Sequence, residues 1–170
     1  VLLDQPRRAH ELLEFFMGDQ RPAGWRHWAE VVWRDPRTPG FVGDMPHTWV
    51  GSAFMNSLRA MLGHEDGDAL RLLAGVSPRW LTEDDGLRIE AFPTWFGTID
   101  LSARVVDDAL RVRISGAVRP MGGYGLVVPD RWRITRVRCD GTELAGQKVA
   151  GNMVALPASA RDVVVELRQR

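Results

Sequence analysis

The hydrophobic period of the chain changes once, and this change restricts the fold more than any other feature. From residue 1 to about 65, apolar residues recur at spacings of three and four, which is the period of an α-helix. From about residue 69, apolar and polar residues alternate, which is the period of a strand with one solvated face. We therefore predict an α+β chain, with helices in residues 1–68 and a β-sandwich in residues 69–170.

Two helices are predicted in the first part. The first has Asp4 as its N-cap and Pro6 in its first turn, and it ends at Gly18. The second runs from about Pro46 to Leu62, with Asp44 near its N-cap. The second helix is apolar on two faces, which are normally both covered. One face carries Val50, Phe54, Leu58, Met61 and Leu62, and the other carries Trp49, Ala53, Ser57 and Ala60.

Five alternating segments predict strands in the second part, and turn-forming dipeptides separate them. The segments are 87–92, 99–105, 110–114, 132–138 and 163–167. The turns are Asp85-Gly86, Asp107-Asp108, Ser115-Gly116, Asp140-Gly141 and Gly151-Asn152. Short strands at this spacing indicate an antiparallel sandwich or barrel. The arginines at alternate strand positions are expected on its solvated face.

The charges cancel, because the chain has 22 basic and 22 acidic side chains. No electrostatic attraction to nucleic acid or to a membrane surface is expected, and no run of about 18 apolar residues predicts a membrane span. The chain begins with Val1 and shows no secretory signal pattern. We therefore expect a piece of a longer chain, and the cellular compartment is left open.

The usual motifs for metals and nucleophiles are absent from the sequence. The four histidines include no i, i+4 pair and the chain has one cysteine, so no structural zinc site and no cofactor is expected. There is no G-x-S-x-G motif. Cys139, in a predicted strand before a hairpin turn, is expected to be a buried, inert thiol.

Four of the seven tryptophans fall within 25 consecutive positions, at Trp25, Trp28, Trp33 and Trp49. Three of them lie in the long connection between the two predicted helices, and long loops are often functional. Carboxylates and imidazoles accompany them, at Glu30, Asp35, Asp44, His27 and His47. Flat rings can stack on the apolar faces of sugars, and two carboxyl groups are the usual catalytic groups for hydrolysing a glycosidic bond.

Glu30 lies between Ala29 and Val31, which predicts a partly desolvated site that favours the protonated carboxyl. The residues alone leave a second interpretation open. In that interpretation the tryptophans belong to the core, and Glu30 forms a salt bridge with Arg26 or Arg34.

The order of these motifs resembles the C-terminal end of the six-hairpin, (α/α)6-barrel glycoside hydrolases, especially the α-L-rhamnosidase type. The tryptophan loop (WRHWAE, residues 25–30) is similar to the loop of that family, and PHTWVG (residues 46–51) is similar to the opening of its last barrel helix. Residues 72–76, 93–99 and 134–141 are similar to the segments that follow, so the resemblance covers nearly the whole chain.

The resemblance implies the last helical hairpin of an (α/α)6 toroid followed by an antiparallel β-sandwich, from a bacterial glycoside hydrolase. It implies that Glu30 is the general base of an inverting reaction. Asp44 is a rival, because Ala29 separates Trp28 from Glu30 where the family often has Trp-Glu directly. The expected substrate-binding residues are Trp25, Trp28, His47 and Trp49.

The resemblance also implies partners: a carbohydrate substrate and the rest of the barrel, which would hold the general acid. The isolated chain is therefore expected to be inactive. A phosphorylase or a lyase is an open alternative for the parent, and the sugar is not predicted.

The sequence leaves alternative functions open. The second part could be a non-catalytic β-sandwich that binds carbohydrate or has a structural role, or a sandwich that mediates protein contacts. A sugar-binding sandwich should expose aromatic rings, whereas Trp80, Trp95 and Trp132 are expected to be isolated and partly buried.

Overall fold

The computed structural model describes residues 5–20, 24–31, 43–145 and 148–170. The chain divides into two compact units, Val1–Ala60 and Met61–Arg170. Val1, Asp4, Trp33, Arg34 and Asp35 lie outside the described residues. Within the described residues, no helix is both long and apolar enough to cross a bilayer.

Both predicted helices are confirmed. Helix α1 spans Pro6–Gly18, with Pro6 in its first turn, where its missing N–H leaves no helical hydrogen bond unmade. Gln5 occupies the N-cap position, and the predicted cap Asp4 lies outside the described residues. Helix α2 spans Thr48–Leu62 and begins two residues after Pro46.

Three aromatic rings connect the elements of the first unit. Trp28, from the loop between the helices, lies 4.7 Å from Phe54 of α2 and 6.2 Å from Phe16 of α1, between ring centroids. The indole N–H of Trp28 donates a 2.8 Å hydrogen bond to the carbonyl of Phe16. This cluster satisfies the polar atom of Trp28 while it buries much of the ring.

Apolar side chains on both helices are exposed. Ala29 is the one buried hydrophobic residue among the described residues of the first unit. The exposed large hydrophobic side chains of α1 and α2 are Leu12, Phe15, Met17, Trp49 and Met55. The second predicted face of α2 is therefore largely solvated within the described residues.

The second unit contains eleven strands and one short helix among its described residues. In chain order they are β1 (Gly63–Asp66), β2 (Ala69–Leu72), α3 (Pro78–Thr82), β3 (Leu87–Thr94), β4 (Gly97–Val106), β5 (Ala109–Gly116), β6 (Tyr124–Val127), β7 (Trp132–Cys139), β8 (Thr142–Glu143), β9 (Val149–Ala150), β10 (Met153–Leu156) and β11 (Asp162–Gln169). The predicted domain boundary, between residues 68 and 69, falls in the turn between β1 and β2, whereas the compact units divide after Ala60.

The strands form two sheets, with the orders β1-β2-β6-β10-β9 and β3-β4-β5-β11-β7-β8. All the pairings are antiparallel except that of β2 with β6, which is parallel. Alternate residues of both sheets contribute to one hydrophobic cluster, among them Leu70, Leu126, Leu110, Val112 and Val165. The unit is therefore mostly antiparallel and sandwich-like, as the alternating period predicts.

The strand unit also contains elements that the sequence did not predict, namely α3 and the short strands β1, β2, β6, β8, β9 and β10, and two expectations for single residues fail. The alternation in β3 breaks at Ala91, which has a φ of +52° and is exposed, because a register shift lies between Ile89 and Phe92. Trp95 is 86% exposed at the tip of the β3–β4 hairpin, so the expectation that it is partly buried is wrong. Trp132 is buried and Trp80 is half-buried against the core.

Candidate functional site

Two segments of the first unit lie side by side and carry the predicted site residues. The backbone N–H of Glu30 donates to the carbonyl of Asp44 at 3.2 Å, and the N–H of His47 donates to the carbonyl of Trp28 at 2.8 Å. These two bonds align residues 28–30 with residues 44–47, just before α2 begins. The carbonyl of His47 then accepts the N–H of Gly51 in the first turn of α2.

This alignment brings Glu30, Asp44 and His47 together. One carboxylate oxygen from each acid and one imidazole nitrogen all lie within 4.8 Å of one another. Nδ1 of His47 lies 3.7 Å from Oδ2 of Asp44. The Asp44 side chain is 79% exposed and that of His47 is 15% exposed. The cluster is therefore open to solvent on its carboxylate side.

Glu30 is exposed, which corrects the expectation of a desolvated carboxyl. Its neighbour Ala29 is buried, but Val31 is exposed, so apolar residues flank Glu30 in sequence without covering it. Gly43 lies directly against the Glu30 side chain, and a Cβ at position 43 would overlap Oε2 and lie 2.5 Å from Cβ of Glu30. The backbone of Gly43 also has a φ of +98°, a conformation that glycine adopts without strain.

Nδ1 of His47 is buried and forms no hydrogen bond with any described residue. The 3.7 Å separation from Asp44 is an ion-pair distance and is too long for a hydrogen bond. Buried polar atoms in native proteins nearly always have a partner, so this nitrogen needs an explanation.

The tryptophans of the first unit have different surroundings. Trp49 is 81% exposed, with its ring centroid 6.2 Å from that of His47 in an edge contact. Trp25 is also exposed and contacts His27 edge-on at 5.9 Å. Trp28 is half-buried between Phe16 and Phe54. Trp25 and Trp49 thus offer ring surface to solvent, whereas Trp28 stabilises the loop.

The sequence predicts that Glu30, Asp35, Asp44, His27 and His47 come together with the tryptophans at one end of the helical part, and the structure groups Glu30, Asp44 and His47. A histidine pair at helical spacing is not the signal for this cluster, because the cluster contains one histidine. The local signal that was available is the i, i+3 pair Asp44 and His47 immediately before a helix.

Away from this cluster, a depression of about 410 Å³ lies on the solvated face of β3, β4 and β5. Its charges are matched within the sheet: Arg88 donates to Glu90 at 2.8 Å, and Arg113 donates to Asp162 at 3.0 Å. These arginines belong to the solvated face that the alternation predicts.

No family model and no curated protein matches the sequence. Among solved structures, the chain is similar to a GH127 β-L-arabinofuranosidase from Geobacillus stearothermophilus T6, with a TM-score of 0.38 and 12% sequence identity. The match covers 74% of this chain and 19% of that enzyme, so the chain spans a small part of the enzyme's length.

Proposed function

We propose that this chain is the C-terminal part of a glycoside hydrolase and supplies one side of its active site. The observation that carries the proposal is the grouping of Glu30, Asp44 and His47 within 4.8 Å, beside the exposed ring of Trp49. The two helices are then the last hairpin of an (α/α)6 barrel, and residues 69–170 are its terminal sandwich. The exposed apolar faces of α1 and α2 support this assignment, because neighbouring barrel helices would cover them.

The spacing of the carboxylates limits their roles. An inverting glycosidase holds its acid and base about 6.5–9.5 Å apart, which leaves room for a water molecule. Glu30 and Asp44 have oxygens within 4.8 Å of each other, which is too close for the two members of an inverting pair, so this proposal assigns both to the side of the attacking water. In this proposal Glu30 is the general base, Asp44 helps to position the water, and the general acid comes from the rest of the barrel.

The aromatic residues supply the sugar-binding surface in this proposal. Trp49 and Trp25 expose ring faces on which the apolar face of a sugar can stack, and the His47 imidazole lies at the edge of Trp49. Trp28 is a pocket-wall residue in this proposal, and its contacts with Phe16 and Phe54 hold it in place.

The decisive experiment is Glu30→Gln in the full-length protein, assayed with aryl glycosides. Loss of a general base lowers kcat by about 10²–10⁴-fold, and Asp44→Asn should have a smaller effect. Glu14→Gln, an exposed change on α1, is the matched control and should leave kcat unchanged. Full turnover in Glu30→Gln with loss in Asp44→Asn would give the base role to Asp44, and full turnover in both would end the proposal.

The isolated 170-residue chain should not turn over aryl glycosides, because it lacks the general acid. The same substrates assayed with the purified chain test this expectation. Turnover by that chain would contradict the division of the active site.

The exposed Trp95 favours a second candidate function, a carbohydrate-binding sandwich. Its backbone N–H donates to Oε1 of Glu65 at 2.9 Å, which anchors the hairpin tip that presents the ring. Titration of tryptophan fluorescence with monosaccharides distinguishes the candidates. Trp49→Ala should abolish the response if the first unit binds sugar, and Trp95→Ala should abolish it if the sandwich does.

A further inference from the structure

The buried nitrogen of His47 and the two carboxylates beside it share one property: imidazole nitrogens and carboxylate oxygens are all metal ligands. Nδ1 of His47 has no hydrogen-bond partner among the described residues, and it lies 3.7 Å from Oδ2 of Asp44. An imidazole nitrogen that no donor or acceptor satisfies is available to a cation.

We infer that Glu30, Asp44 and His47 bind a divalent transition-metal ion of the Zn²⁺ type. Bonds of about 2.0–2.2 Å from a tetrahedral ion to nitrogen and oxygen place neighbouring ligand atoms about 3.4 Å apart. The Nδ1–Oδ2 separation of 3.7 Å is close to that value, and the three ligand atoms lie within 4.8 Å of one another. Small side-chain movements therefore complete the three-ligand set.

The chemistry of the ligands selects the class of ion. Carboxylates alone suit Ca²⁺ and Mg²⁺, whereas an imidazole suits Zn²⁺ and its neighbours in the first transition row. Three protein ligands leave one tetrahedral position for water, because the carboxylate side of the cluster faces solvent.

The backbone holds the ligands in place without a metal. The hydrogen bonds Glu30 N–H to Asp44 O and His47 N–H to Trp28 O join the two segments that carry them. Gly43 leaves the space that the Glu30 side chain occupies. The backbone around the site therefore loses little conformational freedom when the ion binds.

This inference does not depend on the proposed function. A cation bound to Glu30 occupies the carboxylate that the proposed mechanism needs as a free base. Zn²⁺ and the proposed reaction therefore exclude each other at Glu30, so binding is measured in the 170-residue chain and turnover in the metal-free full-length protein, and either can fail without the other.

The test is calorimetric titration of the EDTA-treated 170-residue chain with ZnCl₂ alone. We expect one ion per chain in the wild type. Loss of an outer-shell partner typically weakens metal binding about 10–100-fold, and Glu30→Gln, Asp44→Asn and His47→Gln should each weaken it at least as much. His27→Gln, a change in the same loop outside the cluster, is the matched control and should bind as the wild type does.

Two glycine-to-alanine substitutions test the geometry of the site without removing a ligand. Gly43→Ala should weaken Zn²⁺ binding, because the new Cβ displaces the Glu30 side chain. Gly24→Ala adds a Cβ at a similar positive φ of +83° with no atom within 4 Å, so it should retain the affinity. Circular dichroism establishes that each variant is folded. Absence of binding, or equal affinity in the wild type and the three ligand variants, would overturn the inference.

Discussion

Cys139 lies on β7 with its thiol in the hydrophobic core of the strand unit. Burial above all, together with the neighbouring carboxylate of Asp140, which opposes the thiolate charge, raises the pKa of the thiol to about 11. The residue is 5% exposed, and its sulfur lies 3.6 Å from Oδ2 of Asp140. The sequence-based expectation of a buried thiol is therefore confirmed, and at neutral pH the thiol is protonated and a poor nucleophile.

The raised pKa predicts a loss of stability in alkali. The unfolded chain ionises Cys139 near its ordinary value of 9.0, whereas the folded chain does so at about 11. The protonated thiol therefore contributes fully to the free energy of unfolding below pH 9. This contribution, of up to about 2 kcal/mol, is lost as the pH rises to about 11. Denaturant unfolding of the wild type and Cys139→Ala across this range measures it. The free energy of unfolding of the wild type should approach that of Cys139→Ala as the pH rises. A constant difference between the two proteins would contradict the raised pKa.

At the scale of elements, Asp140 connects the β7–β8 hairpin to the start of β11. Its Oδ1 accepts the backbone N–H groups of Arg161 at 3.1 Å and Asp162 at 2.8 Å. Hydrogen bonds from these N–H groups, that of Asp162 above all, lower the pKa of the Asp140 carboxyl. This side chain therefore stabilises the ladder between β7 and β11 from outside it.

Replacing this carboxylate should destabilise the sheet more than an equivalent change in another hairpin. Asp140→Ala should cost about 1.5 kcal/mol more than Asp107→Ala, because it removes hydrogen bonds to a charged acceptor. The control position has the same φ of +50° in the β4–β5 turn, so backbone strain is matched. The lowered pKa means that this extra stability is present above about pH 4. It should disappear as the pH falls further, and urea unfolding at pH 7 and pH 3 checks both values.

The elements also differ in how far the sequence determines them. Strict alternation predicted β4, β5 and β11, because each has one face in the core and one in solvent. It failed at Ala91, where the side chain of Asp100 accepts the N–H of an irregular residue at 2.7 Å. It also gave no sign of the parallel pairing of β2 with β6, since short strands leave too few residues for a period to emerge.

The sequence predicted that the candidate residues would lie at one end of the helical part, but it did not predict the contacts between them. Trp28 and Trp49 carried equal weight in the sequence, but contacts with Phe16 and Phe54 half-bury one, while the other is exposed. The grouping of Glu30 with His47 depends on backbone bonds between distant segments. No local propensity encodes such bonds.

At the scale of the whole molecule, the two units differ in how much apolar surface they bury. The strand unit holds a continuous cluster of buried residues that includes Leu70, Ile114, Leu126 and Val165. In the described part of the first unit, Ala29 is the buried hydrophobic residue, and the helices meet through the partly buried rings of Phe16, Trp28 and Phe54. Because burial of apolar area supplies most of the folding free energy, the first unit should be the less stable one.

Hydrogen exchange on the isolated chain should resolve this difference. Amides of α1 and of residues 48–58 should exchange at least about 100-fold faster than those of β4, β5 and β11, because local opening of the helical unit exposes little additional apolar surface. Phe54→Ala should accelerate exchange in the helical unit alone, since it removes the ring that packs 4.7 Å from Trp28. Val165→Ala, in the strand core, is the reciprocal control and should accelerate exchange in the sheets. Equal protection of helices and central strands would show that the first unit is stabilised by more than the contacts described above.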